Sequence, residues 1–136
     1  MHSVYLSLGS NIGNRKRLIR DAVDLIDERV GHVVKKSSLY ETTPWGFSSP
    51  NKFINACVCC ETMFSPRELL TATQIIEKIL GRTGKSIDGC YNDRVIDIDI
   101  LLYDDLHVDD SDLKIPHPLM EQRDFVMKPL SEILNK

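Results

Sequence analysis

The stretch Arg94-Val-Ile-Asp97-Ile-Asp99-Ile-Leu-Leu-Tyr103 is a nearly unbroken apolar run, which predicts a β-strand. Side chains on a strand alternate between its two faces, so Asp97 and Asp99 point to the same side. Burying two ionised carboxylates among isoleucines is costly, and the isoleucines also argue against an exposed edge strand. Such a pair mainly holds a cation or faces a charged ligand. Mg²⁺ suits two carboxylates and keeps coordination positions open for phosphate oxygens.

Composition places the chain among ordinary globular proteins. Its 136 residues are 42% hydrophobic and 27% charged, which is enough for one domain, 1–136, with a proper core. The net charge of -3 argues against a general nucleic-acid binder. No apolar run approaches the roughly 20 residues that would span a membrane, and the N-terminus lacks the basic region of a signal peptide. We therefore expect a cytoplasmic protein with no membrane or nucleic-acid partner.

Apolar periodicity and turn residues predict six main elements. Strands are expected at 4–8, 33–42, 53–62 and 94–103, with helices at 15–29 and 65–80 and a helical tail. The order β-α-β-β-α-β is that of a ferredoxin-like α+β fold with an antiparallel sheet. Both helices should cover one face of the sheet. The loops 43–52 and 81–93 and the tail are then the candidates to cover the other face and form an active-site cleft.

The four cysteines do not form a metal-binding pattern. Three of them, Cys57, Cys59 and Cys60, lie in one predicted strand, and Cys90 lies in a loop. Cys60 faces the opposite side from the other two, and no Cys-x-x-Cys pair exists. Buried thiols in a reducing compartment are therefore expected.

Two further segments bear on ligand binding. Residues 81–86, Gly-Arg-Thr-Gly-Lys-Ser, lack the upstream glycine and the strand-to-helix context of a P-loop, so they predict a loop able to close over phosphates. Trp45, Phe53 and Phe125 offer stacking rings, although paired aromatics are more often core residues. Asn55 shares a strand face with Phe53 and offers both a donor and an acceptor. Rings with an amide suit a flat heterocycle.

Taken together, these motifs give the chain its resemblance to a known family. The sequence resembles the 6-hydroxymethyl-7,8-dihydropterin pyrophosphokinases of folate biosynthesis. The motifs that carry the resemblance occur in family order over nearly the whole chain and are 8–13 (LGSNIG), 38–42 (SLYET), 53–56 (FINA), 81–82 (GR), 94–100 (RVIDIDI), 116–118 (PHP) and 123–126 (RDFV).

The resemblance implies transfer of pyrophosphate from ATP to the hydroxymethyl group of the reduced pterin, with release of AMP. It implies that Asp97 and Asp99 hold two Mg²⁺ ions and that Arg82 and Arg94 are catalytic phosphate ligands. The pterin would contact Thr42, Thr43, Pro44, Trp45, Phe53, Asn55 and Phe125. The nucleotide would border Gln74, Glu77, Arg82, Lys85, Arg94, Ile98, His117 and Arg123.

The chain departs from the family pattern in the loop after the second helix. Members of the family often have a second arginine where this chain has Gly84, and Lys85 offers a point charge instead of a planar fork. The same loop of the family often has a tryptophan, and the nearest aromatic residue in this chain is Tyr91.

Two other classes fit a ferredoxin-like domain. The acidic pair and the negative net charge argue against the first of these, an RNA-binding module. A regulatory domain that binds a small molecule without catalysis would not need two aspartates and two arginines together. A pyrophosphokinase is expected to act as a monomer on ATP and the reduced pterin.

Overall fold

The computed structural model describes residues 1–43, 51–81 and 95–134. The elements in chain order are β1 (His2–Ser10), α1 (Arg15–Arg29), β2 (Gly31–Lys36), β3 (Tyr40–Thr42), β4 (Phe53–Thr62), α2 (Pro66–Ile79), β5 (Asp97–Tyr103), β6 (Val108–Asp109), β7 (Lys114–Ile115), a short 3-10 helix (Met120–Gln122) and α3 (Asp124–Leu134). Within these ranges, no helix has the length and apolar character that a membrane crossing requires.

The larger sheet has five strands, and all of its pairings are antiparallel. Its order is β2-β4-β1-β5, and β3 also pairs with β4. β6 and β7 form a separate hairpin. This order confirms the predicted ferredoxin-like α+β arrangement.

The two faces of the sheet bury different sets of side chains. One face packs against α1 and α2, through residues such as Leu6, Ile26 and Ile76. The opposite face packs against α3, where Leu101 and Leu130 are almost fully buried. The predicted cover of the second face by the C-terminal tail is therefore confirmed, and that cover is a helix.

Local sequence signals place the starts of both early helices. Asn14 caps α1 by accepting a hydrogen bond from the backbone N–H of Arg17. Ser65 and Glu68 form a reciprocal capping box at the start of α2, where Pro66 occupies the first helical position. Helices predicted at 15–29 and 65–80 are thus confirmed to within a residue or two.

The strand predicted at 33–42 is wrong as a single element, because it is divided into β2 and β3. Lys36 pairs with Val58, and Tyr40 pairs with Asn55. The segment from Lys36 to Tyr40 therefore advances by four residues while the paired segment of β4 advances by three. The extra residue bulges out of the ladder, and the backbone N–H of Ser38 turns away to a carboxylate on α3. A tertiary partner therefore interrupts the strand.

The first and last main strands also differ from prediction. β1 continues through Gly9 and Ser10, two residues beyond its predicted end at residue 8. β5 lies at the end of the strand order of the described sheet, although its isoleucines argued against an edge position. The strand is nevertheless covered, since α2 packs on one face and the His117 backbone donates to the Leu101 carbonyl at 3.1 Å. The apolar residues beside the aspartates therefore indicate that β5 is covered by other elements, and they do not indicate a central position in the sheet.

Candidate active site

The sheet register aligns the predicted site residues in one row. Gly9 of β1 pairs with Asp97 of β5 on one side and with Asn55 of β4 on the other, and Asn55 pairs in turn with Tyr40 of β3. Ile98 lies in the core beneath α1 and α2, so Asp97 faces the opposite side of the sheet. Two strand spacings of about 4.8 Å separate the backbones of Asp97 and Asn55 by about 10 Å.

Asp99 completes the acidic pair on the same face. It lies opposite Ser7, two pairs along from the Gly9–Asp97 pair, and both carboxylate-bearing residues are half-buried. The prediction that Asp97 and Asp99 share a face is therefore confirmed by the register. Within the described ranges, no cluster of three or more His, Cys, Asp or Glu side chains is arranged to hold a metal.

Gly9 leaves space for the side chains of the neighbouring strand. A Cβ atom at this position would lie 3.1 Å from the Asn55 Oδ1 atom and 3.5 Å from the Phe53 ring. The amide and the ring therefore lie directly over the β1 backbone, which forms a flat floor between β4 and the aspartates. A glycine inside a strand commonly marks such a close approach.

Asn55 is held in a fixed orientation. It is 3% exposed, and its Nδ2 atom donates to the Thr42 hydroxyl at 2.6 Å. Phe53, which pairs with Thr42 across the two strands, lies at the half-buried end of β4. Thr43 is exposed directly after β3. The structure thus brings four of the predicted pterin residues, 42, 43, 53 and 55, to one end of the β3–β4 pair.

Phe125 reaches the same face from α3. The ring is half-buried against the cluster that includes Cys57, which is two residues beyond Asn55 on the same face of β4. The Arg123 guanidinium lies over the Phe125 ring, with 5.6 Å between the guanidinium carbon and the ring centroid. Arg123 is itself only 8% exposed. The first turn of α3 thus brings an aromatic ring and a cation together beside the sheet.

A groove of about 280 Å³ runs along the outer edge of β5. It lies between β5, α2, the β6–β7 hairpin and the segment that follows this hairpin. Its lining includes Leu70, Ile98, Asp99, Ser111 and His117. Two predicted nucleotide residues, Ile98 and His117, are therefore neighbours of one aspartate of the acidic pair.

His117 is held mainly as the neutral imidazole. Burial lowers its pKa, the positive charge of Arg123 lowers it further, and the negative charge of Asp97 opposes both effects. His117 lines the groove together with Asp99. The histidine therefore connects the nucleotide groove with the acidic pair.

The other two predicted nucleotide residues lie on α2. Gln74 is exposed, whereas Glu77 is 6% exposed and accepts a hydrogen bond from the Ile98 backbone N–H at 2.8 Å. Because the Ile98 N–H points away from β1, its carbonyl points to the same outer side of the strand. Glu77 thus ties α2 to β5 between the two aspartates.

Five predicted site residues lie outside the described ranges. These residues are Pro44, Trp45, Arg82, Lys85 and Arg94. The predicted closing loop and the departures at Gly84 and Tyr91 lie there as well.

Sequence reasoning missed two features of this face. Gly9 was left outside the strand predicted at 4–8, although a glycine preceded by alternating strand residues could have indicated a close approach. Glu132 of α3, which accepts hydrogen bonds from Ser38 and Tyr40, had no local signal, because its partners are more than 90 residues away.

Comparison with known proteins gives consistent matches over almost the whole chain. The family model described as 7,8-dihydro-6-hydroxymethylpterin-pyrophosphokinase (HPPK) matches residues 5–135. The 2-amino-4-hydroxy-6-hydroxymethyldihydropteridine pyrophosphokinase of Porphyromonas gingivalis is 50% identical over 98% of this chain and 91% of its own length. The protein of that name from Aquifex aeolicus is 41% identical over 98% of this chain and 81% of its own length.

Solved structures match the fold. A crystal structure of Plasmodium falciparum HPPK-DHPS has a TM-score of 0.75 at 16% identity and covers 96% of this chain, which corresponds to 40% of that longer chain.

Proposed function

Since the chain belongs to the 7,8-dihydro-6-hydroxymethylpterin-pyrophosphokinase family, which transfers pyrophosphate from ATP to hydroxymethyldihydropterin, we propose that the sheet face carrying Asp97, Asn55 and Phe53 is where it binds both substrates. Nothing in the comparisons supports the alternative of a regulatory domain without catalysis. The observation that carries the proposal is the row formed by the β4, β1 and β5 backbones, with Asn55 at one end and Asp97 at the other.

The pterin is assigned to the Asn55 end of the row. Asn55 presents an amide to the edge of the heterocycle, and its bond to Thr42 fixes which atoms it can offer. Phe53 lies beside the amide over Gly9, and Phe125 approaches from α3, so the flat ring is held between two aromatic faces. Thr43, Pro44 and Trp45 are proposed to complete this pocket.

The metal is assigned to the acidic pair. Two carboxylates without a third described acidic or imidazole ligand fit Mg²⁺, which is usually bound by one or two carboxylates together with substrate phosphates. We propose two ions held by Asp97 and Asp99. When bound, Mg²⁺ neutralises phosphate charge and makes a coordinated hydroxyl a better nucleophile.

The nucleotide is assigned to the groove outside β5. A nucleotide bound there would lie beside Asp99 and His117, on the far side of the aspartates from the pterin. The outward-facing Ile98 carbonyl offers an acceptor to the base, and Gln74, Glu77 and Arg123 are proposed to border the bound nucleotide. Neutral His117 can donate or accept one hydrogen bond without adding a charge near the phosphates.

This arrangement supports in-line transfer. The pterin hydroxymethyl group would point along the row from Asn55 towards Asp97, where the β-phosphorus of ATP is presented from the opposite side. Positioning and charge neutralisation supply most of the catalysis in phosphoryl transfer. Arg82 and Arg94 are proposed as catalytic phosphate ligands, with Lys85 as an additional cation.

A product assay tests the reaction. The wild-type protein with ATP, Mg²⁺ and the reduced pterin should release AMP, and ADP or no turnover would contradict the proposal. Asp97→Asn keeps the shape of the side chain but removes a metal-binding charge, so AMP formation should fall by at least about 100-fold. Its unfolding free energy should stay equal or rise, since like-charge repulsion with Asp99 is removed. A near-normal rate in Asp97→Asn would refute the metal assignment.

We also propose a single domain that acts as a monomer in the cytoplasm. The three described cysteines form no disulfide, as expected in a reducing compartment. Light scattering of the purified protein with and without substrates tests the monomeric state, and a stable dimer would contradict it.

A further inference from the structure

Glu132 connects the two sides of the pterin pocket, and we propose that it is a positioning residue that sets the gap between Phe125 and the β3–β4 floor. The inference rests on the proposed function, because it assumes that the pterin stacks on Phe125. Glu132 itself does not touch the substrate. Its role is to hold α3 against β3.

The Glu132 carboxylate accepts hydrogen bonds from several donors that lie in one short segment. Both of its oxygens lie 3.0 Å from the Ser38 backbone nitrogen, and the Ser38 hydroxyl donates to Oε2 at 3.2 Å. The Tyr40 hydroxyl donates to Oε1 at 2.6 Å. This bond to Glu132 is the main reason that the pKa of Tyr40 is raised, so the phenol remains a donor.

The partners of Glu132 lead directly to the pterin floor. Tyr40 is paired with Asn55 across β3 and β4, and Thr42, two residues further along β3, receives the Asn55 hydrogen bond. Ser38 lies in the bulge between β2 and β3, where its N–H has left the sheet ladder. Glu132 therefore holds the segment whose register decides where Thr42 and Asn55 lie.

The same helix carries the opposing ring. Phe125 and Glu132 are seven residues apart, which corresponds to almost two full turns, so both project from the same side of α3. Phe125 is in the first turn, where the Val126 carbonyl lies 3.8 Å from the Cys57 thiol. Phe125 thus packs over β4, and Glu132 is hydrogen-bonded to the adjacent β3. A shift of α3 relative to β3 would change the space between the ring and Asn55.

The helix has a second attachment, which makes the inference testable. Lys35 of β2 donates to the Ile133 carbonyl at 3.3 Å, and Leu130 and Ile133 are fully buried against the sheet. Removing the Glu132 charge should therefore loosen the position of α3 without unfolding it. Glutamine has nearly the same shape but carries no charge, and its amide NH2 group replaces one of the two acceptor oxygens, so its hydrogen bonds with Ser38 and Tyr40 are fewer and weaker.

The test compares the affinities of the two substrates in Glu132→Gln. Calorimetry with the reduced pterin should show a Kd about tenfold higher than in the wild type, while the Kd for ATP with Mg²⁺ changes by less than twofold. Tyr40→Phe removes one of the donors and should give a smaller loss in the same direction. Glu28→Gln, an exposed glutamate of α1 on the other side of the sheet, is the matched control and should change neither value.

A double-mutant cycle separates positioning from a general structural effect. In a Phe125→Ala background, Glu132→Gln should have little further effect on pterin affinity, because the ring that it positions is gone. Equal losses for pterin and ATP, or an undiminished loss in the Phe125→Ala background, would overturn the inference. The AMP assay on the wild type stands apart from this test. If AMP forms but Glu132→Gln binds pterin normally, the inference alone fails.

Discussion

Asn55 and Gly9 show how single residues shape the site. Asn55 is buried with its amide fixed by Thr42, and Gly9 has no side chain to compete for the same space. Asp97, on the other side of Gly9, needs only strand alternation to face the same way. The chemistry of the face thus depends on a small residue between two polar ones.

Gly9→Ala should weaken pterin binding selectively. The new Cβ would lie 3.1 Å from the Asn55 Oδ1 atom, so the amide must move by a few tenths of an ångström, and it would be in ordinary van der Waals contact with the Phe53 ring at 3.5 Å. We expect the pterin Kd to rise about five- to tenfold, which corresponds to about 1 kcal/mol, while ATP affinity stays within twofold. Calorimetry with each substrate measures this. An unchanged pterin Kd would show that the space over Gly9 is not part of the pocket.

At the scale of elements, helices hold the edges of the sheet in place. α2 reaches β5 through Glu77, and α3 reaches β3 through Glu132. In each case a carboxylate accepts from a backbone N–H at the edge of the sheet. Hydrogen bonds of this kind to a charged acceptor are stronger than neutral ones.

Glu77→Ala should destabilise the protein. It leaves the buried Ile98 N–H without its carboxylate acceptor, so the unfolding free energy should fall by about 1–3 kcal/mol in urea denaturation. Glu77→Gln retains a carbonyl oxygen at the same position and should lie much closer to the wild type. Gln74→Ala on the exposed side of α2 is the control. Equal stability of Glu77→Ala and the wild type would mean that this bond does not secure β5.

At the scale of the whole molecule, helices pack on both faces of the sheet, and β4 is buried between them. Burial raises the pKa of Cys57 to about 12 and that of Cys60 to about 12. The thiols therefore stay protonated in the folded protein at pH values where they ionise in the unfolded chain. Because ionisation favours the unfolded state, stability should fall as the pH rises above the ordinary thiol value of 9.0 towards 12.

Thiol labelling tests this burial. In a Cys90→Ser background, which leaves only described cysteines, a disulfide reagent at pH 8 should react slowly and only with the unfolded fraction of the protein. Adding urea should accelerate the reaction in proportion to the unfolded fraction. Rapid labelling of the native protein without urea would contradict the packing of β4 between the two layers.

Expectations from the sequence were most accurate where the signal is local. Capping residues and apolar periodicity predicted where α1 and α2 lie. Strand alternation predicted that Asp97 and Asp99 share one face of the sheet. The break between β2 and β3 could not be predicted, because it depends on an N–H that turns to Glu132. The edge position of β5 was also missed, since an edge strand covered by α2 and the His117 segment has the same apolar composition as a central one.

The sequence by itself determined the element types, the ferredoxin-like order, the shared face of the aspartates and, through its ordered motifs, the family. Only the tertiary structure decided that Gly9 lies between Asn55 and Asp97, that Glu77 and Glu132 hold the sheet edges, and that α3 brings Phe125 over the second face. The physical reason is the distance along the chain over which each kind of interaction acts. Periodicity and capping act over a few residues, whereas register and helix docking depend on contacts between residues far apart in the chain, which no local pattern encodes.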